Sequence, residues 1–250
     1  MAFDIPMRKS APLYNKSLAD KQGFMNIRQS LDRNSLNNDS FRKIPQHISQ
    51  VRTQPVSAPA KPPKKQRNIP SGNIFLQKGQ KVSVDDSSVI KIALGWDILD
   101  ARCEPDASAF MLGGDGKVLG DEWFIFYGQD VSPDGSVKYS ATQNGDDAIM
   151  HIDFRKINPS VQRIVFSVTI YEAVEKKLNF GMTENVYARI IDSRNNESFR
   201  FKLDECYSNV TAMVLGELYR YKGNWKFNAV GSGVARDLAG FCAMYGVKLI

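Results

Sequence analysis

The sequence is poor in the residues that carry catalysis or bind transition metals. Its 250 residues include three cysteines and two histidines, and no CxxC pair occurs. An odd number of widely spaced cysteines (Cys103, Cys206 and Cys242) excludes a disulfide scaffold and a structural zinc site, and indicates a reducing compartment. With only His47 and His151, a Ser-His-Asp arrangement is not credible, and no glycine-rich phosphate loop is present. The sequence therefore predicts a protein that is not an enzyme.

Long apolar runs are also missing. No stretch approaches the roughly 18 apolar residues that a membrane-spanning helix requires. Residues 1–10 contain Asp4, Arg8 and Lys9 where a secretory signal would have an apolar segment. We therefore expect neither secretion nor membrane spanning, and we predict a cytoplasmic location.

The two charge signs are unevenly divided along the chain, which the net charge of +6 conceals. Residues 1–73 hold 13 Lys and Arg against four Asp, a net charge of +9, whereas the remaining residues have a net charge of −3. The basic balance therefore belongs to the N-terminal segment and not to the folded body. For that reason, we expect no specific nucleic-acid recognition.

Residues 1–73 are predicted to be a basic, proline-rich and mostly disordered extension. Five of the 11 prolines lie between Pro55 and Pro70, in a run rich in Ser, Ala and Lys. A weak helical pattern follows Ser17, but Gly23 interrupts it. The basic cluster near residue 65 suits an anionic membrane or an acidic partner. It equally suits a solvated linker, or a segment that folds back onto an acidic face.

Residues 74–250 have the pattern of a β-sheet domain. Short runs of β-branched and aromatic residues recur, separated by Gly, Asp-Gly and Asn-Gly turns. We predict an all-β fold, an antiparallel β-sandwich with short helices and one C-terminal helix over residues 235–245. The clearest predicted strands are 89–94, 107–112, 123–127, 148–154, 164–171, 186–191, 199–203 and 213–221.

Acidic residues crowd between residues 85 and 153, where 14 Asp and Glu stand against four Lys and Arg. Carboxylates this dense repel one another unless a cation gathers them. Calcium takes about six to eight oxygen ligands and tolerates the irregular geometry of loops. Because the acids flank predicted strands, we assign them to loops that converge at one end of the sandwich. The candidate ligands are Asp97, Glu104, Asp106, Asp115, Asn144, Asp146 and Asp147.

The same acids have other interpretations. Asp and Asn are favoured in β-turns for reasons of backbone geometry, and such residues are often simply solvated. Asp134-Gly135 after Pro133 is predicted to be only a turn. The EF-hand pattern is absent. The adjacent Asp146 and Asp147 could serve as the acid and base of a hydrolase, but the sequence offers neither a nucleophile nor a substrate pocket. A calcium site and solvated turns both remain open at this point.

Several separated motifs carry a resemblance to one family. From residue 74 to residue 247, their order and spacing resemble the TerD family of tellurium-resistance and stress-response proteins. The resemblance implies a calcium-binding β-sandwich without enzymatic activity that acts through protein partners. The motifs are LQKGQKVSV (76–84), LGWD (94–97), DASAF (106–110), FIFYGQ (124–129), SPDGSV (132–137), GDDAI (145–149), VTIYEA (168–173), NFG (179–181) and GELYRYKGNWKFNAVGSG (216–233).

The resemblance also implies site residues. The acidic loop positions of the family fall on Asp106, Asp146 and Asp147, and less directly on Asp97, Glu104 and Asp115.

The chain departs from the family pattern near these positions. Arg102 stands where an Asp is common, Glu104 replaces another acid, and Ala148 follows a shortened loop before the acidic pair. Fewer acids imply a lower calcium affinity or a single site. The departures also favour an alternative, a metal-independent interaction module whose polybasic extension binds a membrane, nucleic acid or an acidic partner.

Overall fold

The computed structural model describes residues 74–142, 145–204 and 207–248. The predicted basic extension and the candidate ligand Asn144 lie outside these residues. The twelve described strands are β1 (Phe75–Leu76), β2 (Lys81–Ser83), β3 (Val89–Ile98), β4 (Pro105–Leu112), β5 (Phe124–Ile125), β6 (Val137–Ala141), β7 (Ala148–Asp153), β8 (Arg163–Ile170), β9 (Thr183–Ile191), β10 (Glu197–Lys202), β11 (Ala212–Tyr221) and β12 (Asn224–Val234).

The strands form two six-stranded sheets, which confirms the predicted β-sandwich. Sheet A has the order β1-β10-β9-β3-β7-β6, and sheet B has the order β2-β12-β11-β8-β4-β5. Pairing is antiparallel throughout the described residues apart from β1, which runs parallel to β10. The chain thus crosses from sheet A to sheet B between β1 and β2, at one pair of edges. The opposite edges are β6 and β5.

Alternation along the strands builds the core between the two sheets. Ile92 and Leu94 of β3 face Phe166 and Val168 of β8, and all four are fully buried. The tryptophans Trp96, Trp123 and Trp225 are also buried in this cluster, as the sequence predicts. Apolar side chains on one face of each sheet therefore hold the sandwich together, since their burial removes apolar surface from water.

A second, smaller cluster lies on the outer face of sheet B. Phe110 and Phe124 stack there with their ring centroids 4.5 Å apart, and Phe241 and Tyr245 pack against Phe110. The latter two belong to the C-terminal helical segment.

That segment is the predicted closing helix, α2 (Leu238–Met244), which is shorter than expected. The helix begins later because Asp237 acts as its cap and accepts a hydrogen bond from the Gly240 amide at 2.7 Å. A shorter helix, α1 (Ala173–Lys176), follows β8. Neither helix of the described chain is long and apolar enough to cross a membrane.

Candidate metal centre

Two of the predicted ligands, Asp106 and Asp147, come together from different sheets. Asp106 is the second residue of β4 in sheet B, and Asp147 directly precedes β7 in sheet A. Burial, followed by the charges of Asp106 and Asp147, raises the pKa of the Tyr139 hydroxyl to about 12. Asp106 also raises the pKa of Tyr127, after the larger effect of burial. We call this group of two acids and two tyrosines (Asp106, Tyr127, Tyr139 and Asp147) the rim.

Backbone hydrogen bonds to β3 fix the position of Asp147. The Asp147 Oδ2 atom accepts a hydrogen bond from the Trp96 amide at 2.9 Å, and the Asp147 amide donates to the Leu94 carbonyl at 2.9 Å. Gly145 adopts a φ of 103°, a left-handed conformation that favours glycine and turns the chain into β7. Asp147 is therefore held by local geometry before any ligand binds.

Asp146 has a different environment, although it is the neighbour of Asp147. It is 5% exposed and accepts a bidentate pair of hydrogen bonds from Arg189, at 2.9 Å from Nε and 2.6 Å from Nη2. The Tyr187 hydroxyl adds a third hydrogen bond at 2.8 Å. The carboxylate already holds a cation, and that cation belongs to the protein. Asp146 is consequently an anchor for the segment and a poor candidate for a metal ligand.

Arg189 extends this contact into a buried ionic network on the outer face of sheet A. Its Nη1 atom donates to Glu197 at 3.1 Å, and Glu197 also accepts from Arg200 Nη2 at 2.6 Å. Burial opposes the charge of Arg189, but the hydrogen bonds and charges of Asp146 and Glu197 outweigh it and raise the Arg189 pKa. Two carboxylates and two guanidinium groups therefore balance one another without a metal ion.

The remaining candidates are more dispersed. Asp97 lies within β3 and accepts a hydrogen bond from Asn185 Nδ2 at 2.7 Å. Because Trp96 points into the core, Asp97 points to the opposite face of the sheet. Glu104 is exposed. The expectation that the candidate acids sit in loops is thus wrong for Asp97 and Asp106, which are strand residues.

Asp115 does not join the rim. It lies in the turn after β4 and accepts a hydrogen bond from the Lys117 amide at 3.0 Å. A strand rises about 3.3 Å per residue, so the six steps from Asp106 to the end of β4 span roughly 20 Å. Asp115 therefore belongs to the opposite end of the sandwich.

That opposite end, which we call the far end, is also acidic and contains Asp115, Asp134 and Asp153. Asp134 builds the predicted turn by accepting hydrogen bonds from the Ser132 hydroxyl at 2.6 Å and from the Asn158 amide at 2.8 Å. Asp153 forms a bidentate pair with Arg155, at 2.9 and 3.0 Å. The Ser136 carbonyl accepts from the Asp153 amide, which brings these two turns together. At least these two carboxylates serve the local chain.

Arg102, which stands where an acid is common in the family, is paired locally. Its Nε and Nη2 atoms donate to Asp100 at 3.1 and 2.6 Å. The arginine thus neutralises a neighbouring acid in the same turn.

The rim fits a calcium site only in part. No cluster of three or more His, Cys, Asp or Glu able to hold a metal occurs among the described residues. Asp106 and Asp147 offer at most four carboxylate oxygens, whereas calcium takes about six to eight ligands. Backbone carbonyls and water would have to supply the rest. The residues fit a site with two carboxylates and not the seven-residue set expected from the sequence.

The cysteines offer no reactive nucleophile within the described residues. Burial raises the pKa of Cys103 to about 11 and that of Cys242 to about 12, and both are free thiols. At neutral pH they are protonated and therefore poor nucleophiles.

Comparison with known proteins agrees with this architecture. The model of the TerD domain matches residues 73–245. The chain belongs to the TerD family. The tellurium resistance protein TerD of Serratia marcescens is 38% identical over 189 residues, which cover 70% of this chain and 98% of that protein. General stress protein 16U of Bacillus subtilis (strain 168) is 35% identical over 190 residues, again 70% of this chain and 98% of the relative.

A solved structure shares the TerD fold. The crystal structure of a homologue of telluride resistance protein (TerD) from Streptomyces coelicolor A3(2) matches with a TM-score of 0.50 and 18% identity, covering 62% of this chain and 95% of the other. At that identity the match supports the fold alone. The names of the TerD relatives above refer to tellurium resistance and general stress, and neither name indicates an enzymatic activity.

Proposed function

We propose that this TerD-family protein is a non-enzymatic stress-response module that binds one calcium ion at the rim and acts through protein partners. The observation that carries the proposal is the convergence of Asp106 and Asp147, from two sheets, on the same tyrosine hydroxyl. Every charged group that acts on this hydroxyl is an acid or a phenol. The rim is therefore electronegative, and a divalent cation would relieve the repulsion between its two carboxylates.

The chemistry of the rim favours calcium over a transition metal. Its described donors are carboxylates and phenols, which are hard oxygen ligands, and calcium tolerates a mixed and irregular set of oxygens. With two carboxylates, the expected affinity is lower than that of a site with four or five. The ion would tie β4 of sheet B to the start of β7 in sheet A, and partners would recognise the ordered end of the sandwich.

Calorimetric titration of the full chain with calcium, with magnesium as the control ion, tests this proposal. We expect one saturable, calcium-selective site, and a loss of affinity of at least tenfold in Asp106→Asn and in Asp147→Asn. Asp115→Asn is the matched control, because it makes the same acid-to-amide change at the far end, and its affinity should equal that of the wild type. An equal loss in Asp115→Asn, or no heat up to millimolar calcium, would remove the proposed site.

A second candidate function is a metal-independent interaction module. The Asp146–Arg189 pair favours it, because an internal guanidinium already supplies the positive charge that the acidic pair was expected to take from a metal. In that case the polybasic segment of residues 61–67 would be the working part and would bind an anionic membrane or an acidic partner. Changing Lys61, Lys64, Lys65 and Arg67 to Gln should then abolish sedimentation with phosphatidylserine vesicles, whether or not calcium is present. Unchanged sedimentation would exclude this function for the segment.

The proposed location is the cytoplasm. The free, buried thiols of Cys103 and Cys242 support a reducing compartment, where structural disulfides are rare.

A further inference from the structure

The outer face of sheet B is covered on one side by helix α2, and its other side carries aromatic and basic side chains. There β11 and β12 form a hairpin, and Tyr219 and Tyr221 share one face of β11 because they are two residues apart. In the sheet register, Tyr219 lies between Lys226 of β12 and Arg163 of β8. We call this surface, formed by Arg163, Tyr219, Tyr221, Lys222 and Lys226, the hairpin face.

Two lysines gather around the exposed ring of the hairpin face. Tyr221 is 46% exposed, and the Nζ atoms of Lys226 and Lys222 lie 4.6 and 5.5 Å from its ring centroid. Lysine side chains are flexible, so either ammonium group can leave the ring for an incoming anion while it stays within reach. The hairpin face thus combines an accessible aromatic surface with mobile positive charge.

The acids near the hairpin face are engaged by donors of the protein. Glu217 accepts hydrogen bonds from Arg163 Nη1 and from Asn228 Nδ2, both at 3.0 Å, and its side chain is 15% exposed. Asp86 Oδ2 accepts from the Trp225 amide at 2.9 Å. The hairpin face therefore carries local positive charge, although the sequence from residue 74 onward has more acidic than basic residues.

The hairpin is held in place from its other side. The Arg220 guanidinium lies 4.7 Å from the Trp225 ring centroid, and its Nε donates to the Val161 carbonyl at 3.1 Å. Trp225 itself is buried in the core. A rigid platform lowers the entropy lost when a flexible ligand binds to it.

We infer that the hairpin face binds single-stranded nucleic acid without reading its sequence, with bases stacked on Tyr219 and Tyr221 and phosphates on Lys222 and Lys226. Alternate residues of a strand are about 6.8 Å apart, which is twice the spacing of about 3.4 Å between successive phosphates along one strand of B-DNA. Two rings at this distance suit the bases of an extended single strand. This inference goes beyond the proposed calcium site and does not depend on it.

The chemistry favours this ligand over other anions. An acidic peptide would be recognised best by bidentate arginines, but Arg163 is already paired with Glu217. A nucleic-acid duplex keeps its base faces stacked inside, where Tyr221 cannot reach them. An aromatic surface flanked by lysines is the combination that sequence-independent single-strand binders use.

Fluorescence anisotropy with a labelled 12-nucleotide oligo(dT) and the full chain tests the inference. We expect Tyr221→Ala to weaken binding roughly tenfold, since each stacked base contributes at least that much in such platforms. Tyr221→Phe, which keeps the ring, should bind as the wild type does.

The lysines need a charge-matched control. Lys222→Ala/Lys226→Ala should weaken binding and reduce the slope of log affinity against log salt by about two, one for each lost phosphate contact. Lys176→Ala/Lys177→Ala removes the same charge elsewhere, including a lysine that lies 4.9 Å from the Tyr171 ring centroid. This control should leave both the affinity and the salt slope unchanged.

Three results would overturn the inference. Wild-type affinity in both Tyr221→Ala and Lys222→Ala/Lys226→Ala would mean that oligo(dT) binds elsewhere, for example to residues 1–73. Equal affinity for a duplex of the same length would remove the role of base stacking. If these substitutions abolish binding to phosphatidylserine vesicles while oligo(dT) binding stays intact, the hairpin face is a membrane surface instead. Because the two lysines are at the hairpin tip or only half-buried, their double variant should fold even if Tyr221→Ala does not.

Discussion

Acidic residues gather at both ends of the β-sandwich, but the two ends use them differently. At the far end, Asp134 and Asp153 accept hydrogen bonds from residues within the same turn or from the next one. At the rim, Asp106 and Asp147 come from separate sheets and act together on Tyr139. A carboxylate that builds its own turn stabilises the fold, whereas carboxylates brought together from distant parts of the chain can form a binding site.

The same contrast occurs within the acidic pair itself. Asp146 is buried against Arg189, and Asp147 is half-buried at the rim with one oxygen on the Trp96 amide. Two identical, adjacent residues thus have separate tasks, because successive side chains at the start of a strand point in different directions. We therefore assign Asp146 to the stability of the fold and Asp147 to the proposed calcium site.

The largest expected effect separates these two residues. Asp146→Ala should lower the free energy of unfolding by about 3–5 kcal/mol, because it leaves the buried Arg189 guanidinium without its partner. Asp147→Ala should lower it by about 1 kcal/mol, the usual value of a single hydrogen bond. Urea denaturation measures both. Equal losses in the two variants would contradict the assignment.

The next effect tests the far end. Asp134→Ala should lower the free energy of unfolding by about 1–3 kcal/mol, because the Asn158 amide and the Ser132 and Ser136 hydroxyls lose their acceptor. Calcium affinity should stay at the wild-type value, since this turn lies away from the rim. A change in calcium affinity in this variant would show that the two ends are coupled.

The pH dependence of stability sharpens the same point. Burial opposes ionisation of Asp134, but hydrogen bonds from Ser132, Asn158 and Ser136 outweigh it and lower the pKa of this carboxyl in the folded state. Its contribution to stability is therefore fully present above the unfolded pKa, near pH 4, and is lost as the pH falls through the folded value. Asp134→Asn should unfold with a weaker pH dependence than the wild type below about pH 4, in urea titrations at several pH values. An unchanged dependence would mean that other carboxyls dominate acid unfolding.

The smallest expected effect concerns Asp115. Its described contact is one hydrogen bond from the Lys117 amide in an exposed turn. Asp115→Asn should change the melting temperature by no more than about 1 °C, because an exposed substitution outside the core costs little. A large loss of thermal stability would show that the far end depends on this turn more than its contacts indicate.

Much of the fold could be predicted because its strands alternate. The predicted strand at 164–171 matches β8, where Ile164 and Phe166 enter the core. The final strand, β12, was not among the predicted segments, although it has 11 residues. Its two glycines, Gly231 and Gly233, and its mixed polar residues hide the alternation of Trp225 and Phe227. Glycine there leaves room for Phe201 and Val210, which a sequence alone does not reveal.

The candidate site was predictable only in part, because spacing along the chain does not report which ends converge. Asp106 and Asp115 are close in sequence, but β4 separates them. The role of Arg189 was missed, although the sequence contains an indication of it. Arg189 lies in the run Val186–Tyr187–Ala188–Arg189–Ile190–Ile191, and a charge within a strand this apolar requires a buried partner. That requirement predicts an acid nearby, but only the fold identifies it as Asp146.

The central claim is that calcium binds at the rim and not at the far end, and site-resolved NMR tests it most directly. Amide spectra of the full chain are recorded while calcium is added, with magnesium as the control. The account predicts saturable shifts centred on Asp106, Tyr139 and Asp147, with the amides of Asp115 and Asp134 unchanged. Shifts centred on the far end, or no shifts up to millimolar calcium, would contradict it.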